Sequence, residues 1–323
     1  MPPSVTVSIV NYNHLRHLPE CLRAIRAQTL KPAILVTDNA SIDGSAAWLQ
    51  EHGDDLELIL NHENRGFAAA HNEAFQRSTS DFVLALNCDV VLAPDFLEAL
   101  ASAMTGAPQA GSACGTLYLG SPGASDRLDS TGLFPDRFRR FHDRDHGRPA
   151  SGFSRPAGPI FGPSGSAALY RRSMLEDVAP DGEYFDEDFF AYYEDADLAW
   201  RSRRLGWESI YVPEARGWHV HDDLSRARSG RRDAGATFRQ LLLIRNRHLC
   251  LLKNDSSREA LRDLPWIGGY DLALEVYLLL RKPGLAFRWP REVMRLLPPM
   301  QRKRANLLER SPAAVRLSDW RLP

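Results

Sequence analysis

Apolar and polar positions along the N-terminal third of the chain follow two alternating rhythms. VTVSIV, at 5–10, is a short run of β-branched and apolar residues, the pattern of a buried strand. Behind it Leu15, Leu18, Leu22 and Ile25 recur at helical spacing and predict a helix over 15–27 with one apolar face. The pair then repeats. Strands are predicted over 33–37, 56–60 and 82–86, and Asp43 and Ser45 around Gly44 mark a turn and a helix start. An alanine-rich helix is predicted over 66–75, and Pro94, near a first turn, opens another to 104. This alternation predicts an α/β domain with a largely parallel sheet, whose ligands bind beyond the carboxyl ends of the strands. Asn11, Asp38, Asn61 and Asn87 each follow such an end.

Periodicity weakens over 120–163, a stretch rich in Gly, Pro, Asp and Arg that reads as a long surface excursion with short elements of its own. Order returns at 166–170, in a helix over 198–205 stopped by Gly206, and in a short strand at 210–212. From 235 onward the spacing is helical, with a break expected at Pro265.

Bulk properties narrow the class. The 323 residues carry a formal net charge of -1 and are 44% hydrophobic, which fits a globular chain with a sizeable core and excludes a polycation built for nucleic acid. The four cysteines, Cys21, Cys88, Cys114 and Cys250, form no C-x-x-C pair, so the expectation is a reducing cytoplasm with neither zinc knuckle nor disulfide scaffold. Met-Pro-Pro-Ser runs straight into the first strand, so no signal peptide is expected. Asp271 and Glu275 interrupt the apolar stretch 267–280, which is too short and too charged to span a bilayer. Charge is uneven, however. Residues 281–321 hold eleven Lys and Arg against three acids, densest in QRKR at 301–304. Leu280, Leu285, Phe287, Trp289, Leu296, Leu297, Leu307 and Leu308 lie among them. Such a segment suits an anionic membrane surface; the competing reading is a helical cap whose arginines face water.

Five groups carry candidate chemistry. Asp38, in VTDNASIDGS, is a strand-end carboxylate able to accept hydrogen bonds from a base or ribose, or merely to shape its loop. In NRGFAAAHN, Asn64 and Gly66 open a helix whose small side chains either let its N-terminus approach a phosphate or sugar, or serve close helix–sheet packing. In Asn87-Cys88-Asp89, Asp89 offers a hard oxygen ligand for a divalent cation bridging a diphosphate; the alternative is a polar strand-end turn. FDEDFFAYYEDADLAWRSRRLGW, at 185–207, places five carboxylates between Asp186 and Asp195 with Phe189, Phe190, Tyr192 and Tyr193 interleaved. Aromatics there imply a partly desolvated pocket that raises a carboxylate pKa toward general-base use. Glu194 and Asp195, expected just before a helix, are therefore the candidate catalytic pair, with helix capping and core aromatics as the alternative. His219 and His221, in WHVHDDLS, share one face of a strand, where one can complete a metal site with Asp89 or be structural.

In this order the motifs resemble family 2 glycosyltransferases with a GT-A fold, and among them the bacterial rhamnosyltransferase-type branch. VSIVNYN resembles the family's first strand, VTDNASIDGS its VDNxSxDGS segment, and NRGFAAAHN its N-x-G-F-A-x-x-x-N stretch. LNCDV stands where the family has a D-x-D-like metal motif, and GPSGSAALYRR resembles its G-x-x-x-L-x-R-R segment. FFAYYEDADLAWRSRRLGW resembles its FxxYxEDxDLxxRxRxxG block, and LLLIRNRHLCLLKN the RN segment that follows. The resemblance runs over 5–253. Asn87 departs from a full D-x-D pair, and HVHDDLS lacks the glycines usual after the histidine.

The resemblance implies a Rossmann-like mixed sheet flanked by helices: a catalytic domain over 1–225, nucleotide-binding over 1–118 and acceptor-binding over 119–225, then a helical basic extension over 226–323. It implies that Asp38 contacts the nucleotide base, with Asn11, Asn64, Gly66, Asn87 and Asp89 in the donor site. Asp89 with His219 or His221 would hold Mg²⁺ or Mn²⁺. Asp195, beside Glu194, would be the base of an inverting transfer from a nucleotide sugar, dTDP-rhamnose or a UDP-sugar, to a hydroxyl of a glycan or lipid-linked acceptor. Many such enzymes extend lipid-linked glycans, which implies a cytoplasmic protein, peripheral on the inner face of the membrane. A metal-dependent nucleotidyltransferase is disfavoured by the missing Gly-rich phosphate loop near Val10, and a silent binding protein by retention of Asp89 and Asp195. No G-x-G-x-x-G follows the first strand, which disfavours a dehydrogenase.

Overall fold

The β-branched run near the N-terminus forms β1 (Val5–Asn11), and its apolar positions Val5, Val7 and Ile9 are buried on one face of the sheet. In this computed structural model, residues 2–124, 126–221, 234–255, 258–311 and 314–322 are described. β1 pairs in parallel with β2 (Ala33–Asp38) on one side and β4 (Phe82–Asn87) on the other, and β2 pairs with β3 (Glu57–Leu60). The amphipathic α1 (Leu18–Arg26) lays Leu18, Cys21, Leu22 and Ile25 onto one face of this sheet. α2 (Ser45–His52) joins β2 to β3, and α3 (Gly66–Arg77) packs Ala68 and Phe75 against Val83 and Ala85 on the opposite face.

Beyond β4 the sheet becomes mixed. β5 (Val90–Leu92) and α4 (Phe96–Gly106) lead to β6 (Ala110–Leu119). β11 (Ala167–Arg171) lies between β4 and β6, antiparallel to both, and is followed by α5 (Arg172–Val178). β12 (Glu208–His219) runs parallel to β6 and antiparallel to β5. The strand expected at 210–212 is thus only the start of β12: a register shift between Tyr211 and Arg216, around Pro213, breaks its alternation and hides its length. β12 delivers its last residue, His219, opposite Val90, next to the turn that carries Asp89.

The excursion at 120–163 does contain short elements. β7 (Leu128–Ser130) pairs with β6, β8 (Leu133–Pro135) with β9 (Phe141–Asp143), and β10 (Gly158–Pro159) with β12. It is not wholly a surface feature. Arg139 is fully buried and reaches Asp255 and Asp263, each at 2.8 Å, so the excursion is pinned beneath the C-terminal helices.

α6 (Glu194–Arg204) starts earlier than expected, so Glu194 and Asp195 lie in its first turn rather than before it. The extension comprises α7 (Ala234–Asn254), α8 (Arg258–Arg281) and α9 (Pro283–Arg310). Pro265 does not break the chain; α8 continues through it, because the bond it forfeits frees a carbonyl on exposed Leu261. The expected boundary at 225/226 lies outside the described residues. Leu249, Cys250, Leu296 and Met300 of the extension share a core with Phe161, Phe189 and Trp200.

Much of the basic segment is therefore committed inside the fold. Leu285, Leu296 and Leu307 are buried, Lys303 joins Glu183, Asp186 and Asp188, and Arg304 caps the carbonyls of Leu252 and Asp255. Among the described residues, no helix is long and apolar enough to cross a membrane.

A further buried ionic contact belongs to Lys253 of α7, whose Nζ lies 2.6 Å from Asp186 and 2.9 Å from Asp197. Burial pushes both acids toward neutrality, but Lys253, helped by Lys303 at Asp186 and by Arg201 at Asp197, holds them below the usual carboxylate range. Lys253→Met strands two buried carboxylates and should lower unfolding free energy in urea at pH 7 by about 3 kcal/mol. Groups depressed in the folded state stabilise it above their unfolded pKa. The gap between wild type and variant should therefore close as pH falls below about 4. An unchanged urea midpoint at pH 7 would assign the pairing to Lys303 and Arg201 alone.

Candidate active site

The acidic aromatic segment enters α6 through a backbone that side chains rarely adopt. Phe190, Tyr192 and Tyr193 have φ of 67°, 70° and 73°. Each such residue costs on the order of 1–3 kcal/mol and persists only where its surroundings hold it. Asn246 of α7 does so with its amide, which donates to the carbonyls of Phe189, Ala191 and Tyr192 at 2.9, 2.8 and 2.7 Å. The neighbouring Arg245 guanidinium donates to the carbonyls of Asp188 and Phe189, both at 2.9 Å.

α3 holds the same turn from the other side. Asn72 exchanges two hydrogen bonds with the Phe185 backbone, at 2.7 and 2.8 Å, and the Ala68 N–H donates to the Phe190 carbonyl at 3.1 Å. Gly66, at φ 84°, lies so close that a Cβ would meet the Phe190 carbonyl oxygen at 2.5 Å. The small residues of NRGFAAAHN thus make room for the acidic turn, and the Asn64 carboxamide fixes the entry by accepting from the Gly66 N–H at 2.9 Å.

Held in this way, Asp195 accepts hydrogen bonds from the Gly165 N–H at 2.9 Å and the Ala196 N–H at 2.7 Å. Burial raises its pKa, these two N–H groups lower it, Asp143 raises it again, and the balance falls at about 6. Glu194 is buried, its Oε2 has no partner, and burial followed by the Asp195 charge keeps its carboxyl protonated well above the usual range. Burial thus disfavours charge on both adjacent acids, and backbone N–H donors offset it at Asp195. Beside them is a cavity of about 510 Å³ lined by Phe134, Asp136, Phe141, His142, Asp143 and His146. The Phe141 ring stands 6.0 Å from that of Tyr193, so the cavity adjoins the acidic turn.

A second cluster forms where β12 ends. His219 Nε2 is 3.2 Å from Asp89 Oδ1, and its Nδ1 is 2.8 Å from Asp129 Oδ2. His221 Nε2 is 2.8 Å from Asp129 Oδ1, and the two imidazoles stack at 3.7 Å. Burial works against charge on Asp89 and Asp129, but His219 outweighs it at both, with His221 adding at Asp129, and holds them below the usual range. Burial likewise opposes charge on His219, yet the hydrogen bonds and charges of Asp129 and Asp89 raise it to about 10. The pocket therefore favours a positive charge. Its oxygen and imidazole donors suit Mg²⁺ or Mn²⁺, whose binding at His219 would release that proton. Ligand atoms of Asp129, His219 and His221 lie within 4.8 Å of one another. Asp222 to Ser225 lie outside the described residues.

The remaining expected residues sit at the ends of the parallel strands. Asp38 is buried and accepts from Asn11 Nδ2 at 2.7 Å and from the Ser41 N–H at 2.9 Å, so it shapes its loop as well as closing the β1–β2 edge. Asn61 donates to Asn39, which in turn donates to Asn64, each at 3.0 Å. Asn87 is half-buried and ties its backbone to Ser166 at 2.9 Å.

The profile named "Glycosyl transferase family 2" matches residues 6–179, more than half of the chain. The chain belongs to this family. It is 29% identical over 245 residues to N-acetylglucosaminyl-diphospho-decaprenol L-rhamnosyltransferase of Mycobacterium tuberculosis, a match covering 68% of this chain and 76% of the relative. An N-acetylglucosaminyltransferase of Mesorhizobium japonicum is 30% identical over 273 residues, covering 77% of this chain and 61% of the relative. Two solved structures share the fold. A mannosyltransferase of Pyrobaculum calidifontis in complex with GDP-Man and Mn²⁺ superposes with a TM-score of 0.54 at 19% identity, covering 96% of this chain and 86% of that one. GalNAc-T7 with UDP, GalNAc and Mn²⁺ gives 0.55 at 11% identity, covering 68% of this chain and 44% of that one.

This family 2 glycosyltransferase keeps two chemically important acids where sequence reasoning does not look. Asp143 and Asp129 both lie in the aperiodic excursion, and only the β6–β7 pairing brings Asp129 to His219. A carboxylate on the far nitrogen of a metal-binding imidazole fixes its tautomer and raises its basicity. Asp129→Asn should weaken Mn²⁺ binding by about 10- to 100-fold in a calorimetric titration. Unaltered affinity would remove Asp129 from the centre.

Proposed function

We propose that this family 2 enzyme performs an inverting transfer of a sugar from a nucleotide-sugar donor to a hydroxyl of a glycan or lipid-linked acceptor, with Asp195 as general base. The observation that carries the reading is Asp195 itself: a carboxylate fixed by the Gly165 N–H, tuned to about 6, and next to an aromatic-walled cavity. In this reading the acceptor hydroxyl gives its proton to Asp195 as its oxygen forms the bond to the anomeric carbon. The bond from that carbon to the diphosphate breaks on the opposite face, and its electron pair leaves with the nucleoside diphosphate. Asp89 and His219, with His221 nearby, would hold a divalent cation, which when bound neutralises charge developing on the diphosphate. Burial and the adjacent Asp195 disfavour charge on Glu194, so the pair favours a single negative charge. Asp38 and Asn11, with Asn64, Gly66 and Asn87, would form and support the donor side.

Residues 1–118 then serve the donor and 119–225 the acceptor, with the extension as support. The Mycobacterium tuberculosis relative is named for rhamnosyl transfer to a decaprenol-linked acceptor, which favours dTDP-rhamnose as donor, with a UDP-sugar next. It also favours a lipid-linked acceptor met at the inner membrane face.

Asp195→Asn should abolish transfer while leaving nucleotide-sugar affinity nearly intact. In the wild type, kcat/KM should fall about tenfold for each pH unit below 6, because protonated Asp195 cannot accept the hydroxyl proton. Wild-type-like turnover of the variant would refute the assignment. Donor identity is tested separately. Calorimetric titration with dTDP, UDP and GDP in the presence of Mn²⁺ should rank a pyrimidine nucleotide first, and tighter GDP binding would overturn that choice.

A further inference from the structure

α8 is inverted for a helix on a globular surface. Over 263–280 its acids face inward and are engaged: Asp263 with Arg139 at 2.8 Å, Asp271 with Arg247 at 2.6 Å, and Glu275 as acceptor from the Trp289 indole at 3.0 Å. Its outward positions from 264 to 280 carry no charge at all. Trp266, Leu272, Val276, Tyr277 and Leu280 stand exposed there, Leu272 at 68% and Leu280 at 76%. Amphipathic helices turn this kind of face to a protein core or to the acyl boundary of a bilayer. Here the core side is already occupied by Leu278, packed with Leu241, Leu285 and Ala286.

We propose that the outward face of α8 lies in the plane of an anionic lipid bilayer and docks the enzyme there. The inference rests on the membrane-peripheral reading above and moves the contact from the basic segment, much of which is engaged internally, to α8. The rim supplies the charge complement. Exposed Arg281 ends α8 at the C-terminal end of the apolar face, and exposed Arg288 and Arg291 follow in the first turns of α9. Anionic headgroups neutralise such a rim, whereas a second copy paired face to face brings like charges together. The helix is not apolar enough to cross the bilayer, so the contact is interfacial. The placement also suits the acceptor side. Trp266 and Tyr270 meet Phe138 at ring distances of 6.4 and 5.7 Å, and Phe138 lies in the loop joining β8 to β9, whose Phe134, Phe141 and Asp143 wall the cavity beside Asp195. A sugar on a lipid carrier at the surface would thus be presented near that cavity.

The full chain would be sedimented with vesicles of phosphatidylcholine alone and of phosphatidylcholine with phosphatidylglycerol, at low and moderate salt. The expected result is binding to the anionic vesicles only, weakened by salt. Leu272→Glu combined with Val276→Glu should cut the bound fraction about tenfold or more, with circular dichroism and melting unchanged because both sites are exposed. A blue shift of tryptophan emission on binding, absent in Trp266→Phe, reports the same face independently. Anionic binding that the double variant and Trp266→Phe leave unaltered would keep the peripheral reading and overturn the assignment to α8; no binding of the wild type would overturn both. A lipid-free dimer dissociated by the double variant would make the face a protein interface and overturn the proposal. None of these readouts requires sugar transfer.

Discussion

The left-handed turn from Phe190 to Tyr193 is the constraint from which the rest of this site follows. Three side-chain-bearing residues in that region of backbone space are unfavourable unless their carbonyls find fixed donors. Those donors come from two distant places: the Asn246 amide of α7 and the Ala68 N–H in the first turn of α3. Once the turn is held, α6 must begin at Glu194. That puts Asp195 against the Gly165 N–H and turns Asp197 inward to Lys253 and Asn254. The helical extension is therefore part of how the Asp195 carboxylate is oriented, even though most of its residues are far from Asp195 in sequence.

This dependence accounts for motifs whose meaning is obscure when read singly. Gly66 and the alanines after it look like a phosphate-binding helix start, yet Phe190 covers Gly66 and takes the Ala68 N–H. The RN pair at Arg245 and Asn246 has no local chemistry of its own. Its reason is five hydrogen bonds to the backbone of the turn. A carboxamide can serve three carbonyls there only because the strained conformation gathers them on one side.

The parts of the fold legible in sequence are those with local periodicity. β1 to β4 and the helices between them were readable because apolar spacing of two or 3.6 needs only neighbours in the chain. The length of β12 is hidden because a bulge around Pro213 interrupts its alternation, and the continuity of α8 because Pro265 signals a break in sequence although solvent can satisfy the carbonyl it frees. The site divides in the same way. Asp38, Asp89, His219 and Asp195 lie in or beside regular elements and stood out. Asp129 and Asp143 are distinguished only by what long-range pairing brings to them, and no spacing rule reaches across ninety residues to join Asp129 to His219.

Electrostatics along α6 shows how little sequence distance separates an acid held ionised by cations from one whose proton affinity is raised. Asp197 and Asp195 are two residues apart on the same first turn of one helix, Asp197 buried and Asp195 half-buried. Desolvation penalises charge on each. Asp197 has the Lys253 ammonium and the Arg201 guanidinium, both within hydrogen-bond distance, so it stays ionised and structural. Asp195 has only backbone N–H donors and the negative field of Asp143, so its affinity for a proton rises toward neutrality. A cation beside Asp195 would orient it equally well but destroy its basicity. Backbone N–H groups orient without contributing a full charge, so the same contacts that fix the geometry leave the carboxylate able to take a proton.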